Sequence, residues 1–282
     1  MRRWTLLIAA VSLLAVGVAA VGQTTISHST HTQIVSVAAQ SGVATVYIPG
    51  HHASPHAMNA LISGGQRASG ERSVTTATVN RKGRVSLSGG DPYTKHPLVR
   101  VVFQNTRTRD YRTLGRWVEH VFWALQYQYG VKKVNVVAHS LGNAAIMANN
   151  LEYGHSHRQL KLQNYVAIAG NFDGIPGQHR HQHPNWITMS GRPHWQAPWY
   201  RYALAHRGQF NLSGVRVLNI FGDVRHHSDG KILNASSQSL HYLIGDKVSS
   251  FKTLQIRGLE ATHRGLKHNT QVRQNVDTFL WG

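Results

Sequence analysis

Short apolar, β-branched runs alternate along the chain with longer stretches of helical spacing. Val43 to Ile48 (VATVYI) reads as a buried strand ending at Pro49-Gly50, and residues around Pro55 to Ser63 follow as a helix. Ser73 to Ser88 reads as two strands about Arg81-Lys82-Gly83, and Leu98 to Phe103 (LVRVVF) as another. From Thr113 to Tyr129 the apolar positions Leu114, Trp117, Val121, Leu125 and Tyr129 step by three and four. That spacing predicts an amphipathic helix, with Gly130 placed to end it. Val131 to Ala138 (VKKVNVVA) is then a strand, followed by a helix from Asn143 to about Tyr153. Tyr165 to Ala169 and Val215 to Phe221 are further strands. Helices are expected near Ser236 to Ile244 and Thr270 to Trp281, with a strand at Phe251 to Ile256 between them.

Strands alternating with helices predict an α/β fold, a mostly parallel sheet covered on both faces. No repeat with a period of about 20–50 residues interrupts the pattern, which excludes a solenoid or propeller. Residues 171–212 break the rhythm with several Pro, Gly, Trp and His and weak periodicity. They read either as a cap or lid over the carboxyl edge of the sheet or as a long surface loop.

The N-terminus stands apart. Met1-Arg2-Arg3 is followed by an apolar run from Trp4 to about Val21, then by small residues leading into Gln23-Thr24-Thr25. A basic start, an apolar middle and a small-residue exit describe a secretory signal peptide over residues 1–25, and an uncleaved membrane anchor is the alternative. The chain has no cysteine, which rules out disulfides, thiolate metal sites and a cysteine nucleophile. It is strongly basic, with 30 Lys plus Arg against 11 Asp plus Glu and 20 His besides. Such a surface attracts polyanions. No zinc-finger, helix-turn-helix or RNP signature points to specific nucleic-acid binding, so an exported chain of this charge is expected to meet anionic cell-envelope polymers or a membrane surface. The clusters His51-His52, His155 with His157, His179 to His183 and His226-His227 lack Cys or clear carboxylate partners, and no HExxH is present. Neither a metal nor a cofactor is therefore expected.

The sharpest chemical signal is Ala138-His139-Ser140-Leu141-Gly142, between the strand VKKVNVV and the helix NAAIMANNLEY. A serine at a strained strand-to-helix turn has its hydroxyl pushed out at the carboxyl edge of the sheet, and small neighbours let the backbones approach. Ala138 replaces the first glycine of G-x-S-x-G. An N-capping serine on an ordinary helix is the other reading of the same residue.

With this elbow the chain resembles the α/β-hydrolase superfamily. More closely, it is similar to a group of secreted hydrolases of undetermined substrate from Gram-positive bacteria. The resemblance runs from about Val43 to Trp281 and rests on VYIPGHHAS, VVAHSLGN, AGNFDGI, SDGKILNASSQSL and ATHRGLKHN ahead of a closing helix. It implies a nucleophile, acid and base in that chain order. Ser140 would be the nucleophile. Asp223 and Asp229 both follow the strand VRVLNIF, where the family has its acid, and Asp229 in Ser228-Asp229-Gly230-Lys231-Ile232 matches the motif better. His263, in the last loop before the terminal helix, takes the base position, with His268 nearby. The resemblance also implies an oxyanion hole from the backbone N–H of Leu141 and of His51, with Pro49 standing where relatives have histidine. The expected activity is ester hydrolysis through an acyl-enzyme on a small-molecule or lipid ester. A non-catalytic envelope-binding protein that kept the fold is the alternative, prompted by Pro49 and the charge.

Overall fold

Eight strands form one sheet in the computed structural model, in the spatial order β3-β2-β4-β1-β5-β6-β7-β8. The structure describes residues 42–91, 93–157, 159–176 and 185–282, all within the unit Ala39–Gly282. The strands are β1 (Ala44–Ile48), β2 (Thr75–Val79), β3 (Val85–Ser88), β4 (Leu98–Phe103), β5 (Lys133–His139), β6 (Lys161–Ile168), β7 (Arg216–Asp223) and β8 (Ser250–Arg257). All pairings are parallel except that of β2 with β3, the hairpin at one edge.

The helices are α1 (Asn59–Ser69), α2 (Tyr111–Tyr129), α3 (Leu141–Tyr153), α4 (Pro198–Ala205), α5 (Asn234–Ile244) and α6 (Thr270–Trp281). They split the core in two. Val46, Ile48, Val134, Val136, Tyr165 and Val217 point to one face and pack with α2, α3 and α5. Their strand neighbours Tyr47, Val137, Val166 and Leu218 point to the other and pack with α1 and α6. Side chains alternate along a strand, so strands covered on both faces are apolar at most positions, with Thr45, Asn135, Asn164 and Asn219 as buried polar exceptions, and this is why they read as near-continuous runs.

The expected strands all form. The first helix differs: residues 55–58 make turns, with Ala57 N–H donating to Ser54 O and Asn59 N–H to His56 O, and α1 then runs on to Ser69. Pro55 disfavours helical backbone at Ser54, and the pair Gly64-Gly65 hides the rest of the helix from a propensity reading. Within 171–212, α4 is an element the sequence pattern did not reveal. Phe172, Ala197, Tyr200, Ala203, Phe210 and Leu212 are buried in the first core, so much of this stretch is interior rather than cover. Trp186 stays exposed. Residues 1–25, with the expected signal peptide or anchor, and His179 to His183 lie outside the described residues. No helix among the described residues is long and apolar enough to cross a membrane.

Candidate active site

In a parallel sheet the loops after each strand gather at one edge, and the residues of the site come from the loops after β1, β4, β5, β6, β7 and β8. β5 delivers Ser140, which turns directly into α3 with φ 54° and ψ −124°. Positive φ is unfavourable for a residue with a Cβ, so the turn is held by its surroundings. The Ser140 N–H donates to Ile168 O at 2.9 Å. Asn143 Nδ2 donates to both Ser140 O and Ile168 O, while Asn143 Oδ1 accepts from Tyr165 Oη at 2.8 Å. Gly142 is required by close approach: a Cβ there would lie 2.6 Å from Ile48 O and 2.8 Å from Pro49 O.

The loop after β7 delivers Asp229, 3% exposed. Its Oδ1 accepts from Lys231 N–H at 2.9 Å and Ile232 N–H at 2.7 Å, and its Oδ2 faces His263 Nδ1 at 2.8 Å. A carboxylate only accepts, so Nδ1 carries the hydrogen and Nε2 of the neutral ring is left as an acceptor. That Nε2 lies 2.9 Å from Ser140 Oγ. The loop bearing His263 is fixed twice more: His263 N–H donates to Asp229 O at 2.8 Å, and the His263 carbonyl accepts from His139 Nε2 at 2.9 Å. Burial, and then the neighbouring His263 and Lys267, hold the His139 pKa well below the usual imidazole value, so it stays neutral and serves as a donor. Gly222 makes room for this assembly, because a Cβ there would overlap Ala261 O and approach Asp229 Cβ at 3.2 Å.

The structure thus brings Ser140, His263 and Asp229 into one hydrogen-bonded line. Asp223 is outside it, accepting from Gln255 Nε2 at 3.1 Å and lying 3.8 Å from His227 Nδ1. His268 is exposed ahead of α6. Glu152 pairs with Arg112, Asp246 with Arg207, and Glu260 accepts from Asn269.

A cavity of about 160 Å³ opens in front of Ser140, and His51 and Leu141 are among its lining residues. Among the described residues neither the His51 nor the Leu141 backbone N–H has a hydrogen-bond partner. Pro49, the departure from the family pattern, contributes only its carbonyl beside Gly142. Burial, opposed by a contact with Arg107 O and reinforced by His52, Arg109 and Lys231, lowers the His51 pKa. Among the described residues no group of three His, Asp or Glu is gathered to hold a metal.

A family model described as "Alpha/beta hydrolase of unknown function (DUF915)" matches residues 32–282. The chain belongs to this family. Among solved structures, the DUF915 hydrolase is similar to the lin2722 gene product of Listeria innocua, with a TM-score of 0.75 at 19% identity, covering 85% of this chain and 94% of the other. It is also similar to a Lactobacillus plantarum WCFS1 protein named as a candidate cell surface hydrolase, with a TM-score of 0.65 at 18% identity, covering 84% and 89%. At such identities the likeness is one of fold. No curated protein matches the sequence.

Several site residues of the DUF915 hydrolase carry little signal in the chain. Asn143 and Tyr165, which brace the elbow, are visible only as polar groups within otherwise buried elements. Arg109, Asn171 and Lys231 line the cavity from three different loops, a juxtaposition that no sequence spacing expresses.

Proposed function

We propose that this DUF915 hydrolase is a serine esterase that works through an acyl-enzyme. The line Ser140–His263–Asp229, with its carboxylate buried and saturated by donors, is the observation that carries the reading. Ser140 Oγ attacks the ester carbonyl carbon while His263 Nε2 takes the hydroxyl proton. The carbonyl electron pair moves onto oxygen, where the Leu141 and His51 N–H groups donate to the oxyanion. Collapse of the tetrahedral intermediate breaks the bond to the leaving alkoxide, which receives the proton from His263. Water, deprotonated by the same nitrogen, then attacks the acyl carbon and releases the acid and Ser140. Asp229 stabilises the imidazolium that forms twice in the cycle.

Ile175 and Pro176 border the cavity and support the reading of part of 171–212 as a cover over the bound acyl group. The basic, apolar and small-residue succession of residues 1–25 supports export, with action outside the cytoplasm or at the cell envelope.

Hydrolysis of short- and long-chain 4-nitrophenyl esters by the protein and by Ser140→Ala tests the reaction. The variant is expected to lose about 10³–10⁶-fold in kcat and to resist labelling by a fluorophosphonate. Equal turnover by both proteins would sink the proposal, and inert, unlabelled wild-type protein would favour the envelope-binding alternative.

A further inference from the structure

The cavity in front of Ser140 is cationic. Its lining includes Arg109, Lys231 and His51 and no carboxylate. Arg109 comes from the loop after β4 and Lys231 from the loop after β7, which lie on opposite sides of β5 in the sheet. The two charges therefore flank the nucleophile. Both side chains are exposed, and among the described residues neither forms an ion pair. Among the described residues the Arg109 side chain donates from Nε to His51 Nε2 at 3.4 Å and meets no carboxylate.

The neighbouring acids are engaged elsewhere. Asp110 caps α2 through Arg112 N–H, and both oxygens of Asp229 are occupied by Lys231 N–H, Ile232 N–H and His263. Positive charge converging on a small concave site without an internal counter-charge raises the local concentration of anions. Asn171 borders the same cavity with a fully buried side chain whose Nδ2 donates to Tyr111 Oη at 3.0 Å.

We propose that the ester this pocket takes is an anionic one, bearing a phosphate or carboxylate that sits between Arg109 and Lys231. This rests on the serine esterase reading and names its substrate class. The anionic group takes no part in bond exchange; it anchors the molecule so that the carbonyl faces Ser140 Oγ. Because both cations are exposed, their grip weakens as salt rises.

Two matched pairs test the proposal at low ionic strength. For a carboxylate source, mono-4-nitrophenyl succinate is compared with 4-nitrophenyl butyrate. For a phosphate source, O-acetylglycerol phosphate is compared with monoacetylglycerol by acetate release. The anionic member of at least one pair should show a kcat/KM about tenfold or more above its neutral partner, and the pair with the larger ratio identifies the source. Arg109→Gln and Lys231→Gln should each reduce that ratio several-fold, and added salt should do the same. Lys133→Gln removes one charge at the far end of β5, about 23 Å along the strand from Ser140, and should leave the ratio intact. Ser140-dependent hydrolysis without an anionic preference, or with a preference that survives both pocket variants, overturns the proposal while leaving the esterase reading standing. No Ser140-dependent hydrolysis of these four esters or of the long-chain 4-nitrophenyl esters overturns both.

Discussion

Ser140 adopts a backbone conformation that glycine tolerates and other residues resist. The elbow is therefore held under strain by the Ile168 carbonyl, by Asn143 and by the strands packed around it. Ser140→Gly and Ser140→Ala both remove the hydroxyl and should be equally inactive, but only the glycine relieves the backbone. We expect Ser140→Gly to be the more stable of the two by about 1 kcal/mol, read as a higher urea midpoint; the reverse order would mean that the turn is unstrained. The serine itself was legible from its five-residue context. The candidate acid was legible only down to two neighbouring carboxylates, because Asp223 and Asp229 share one loop. Which of them faces His263 depends on how that loop folds back through the Arg225–Ser228 and Ser228–Leu233 bridges.

At the level of elements, the central strands were readable because burial on both faces leaves a near-continuous apolar run. α4 was not, because its Tyr200 and Ala203 are buried by tertiary packing in a segment whose composition says loop. The segment before α4 is tethered by one acid. Asp173 Oδ1 accepts from Ala197 N–H at 2.6 Å and its Oδ2 from Asn185 Nδ2 at 2.7 Å. Burial outweighs those donors and pushes its pKa up to about 7. A raised carboxyl pKa means that the folded state binds more protons than the unfolded state between about pH 4 and pH 7, so stability from this group falls as pH rises through that window. Asp173→Asn removes the titration while leaving the other ionisable groups in place. Its denaturant midpoint should decline less than that of the wild type between pH 4.5 and 7.5, each unit of pKa shift corresponding to about 1.4 kcal/mol. Parallel profiles for the two proteins would show that the Asp173 proton is not linked to folding.

For the whole molecule, the proposed export gives the charge a setting. A formal net charge of +19 at pH 7 suits a protein that works among anionic material, and the N-terminal segment offers a route there. N-terminal sequencing of the protein recovered outside the cell should begin near Gln23 if the segment is a cleaved signal. Intact Met1 in the membrane fraction would mark an anchor instead, and recovery of all the protein from the cytosol would contradict export. Ser140 and His263 stand 123 positions apart, on the loops after β5 and β8. On the esterase reading, reactivity is therefore withheld until both halves of the sheet have joined: a chain folded only through β5 and α3 carries a serine with no base, and an ester that meets it goes uncleaved.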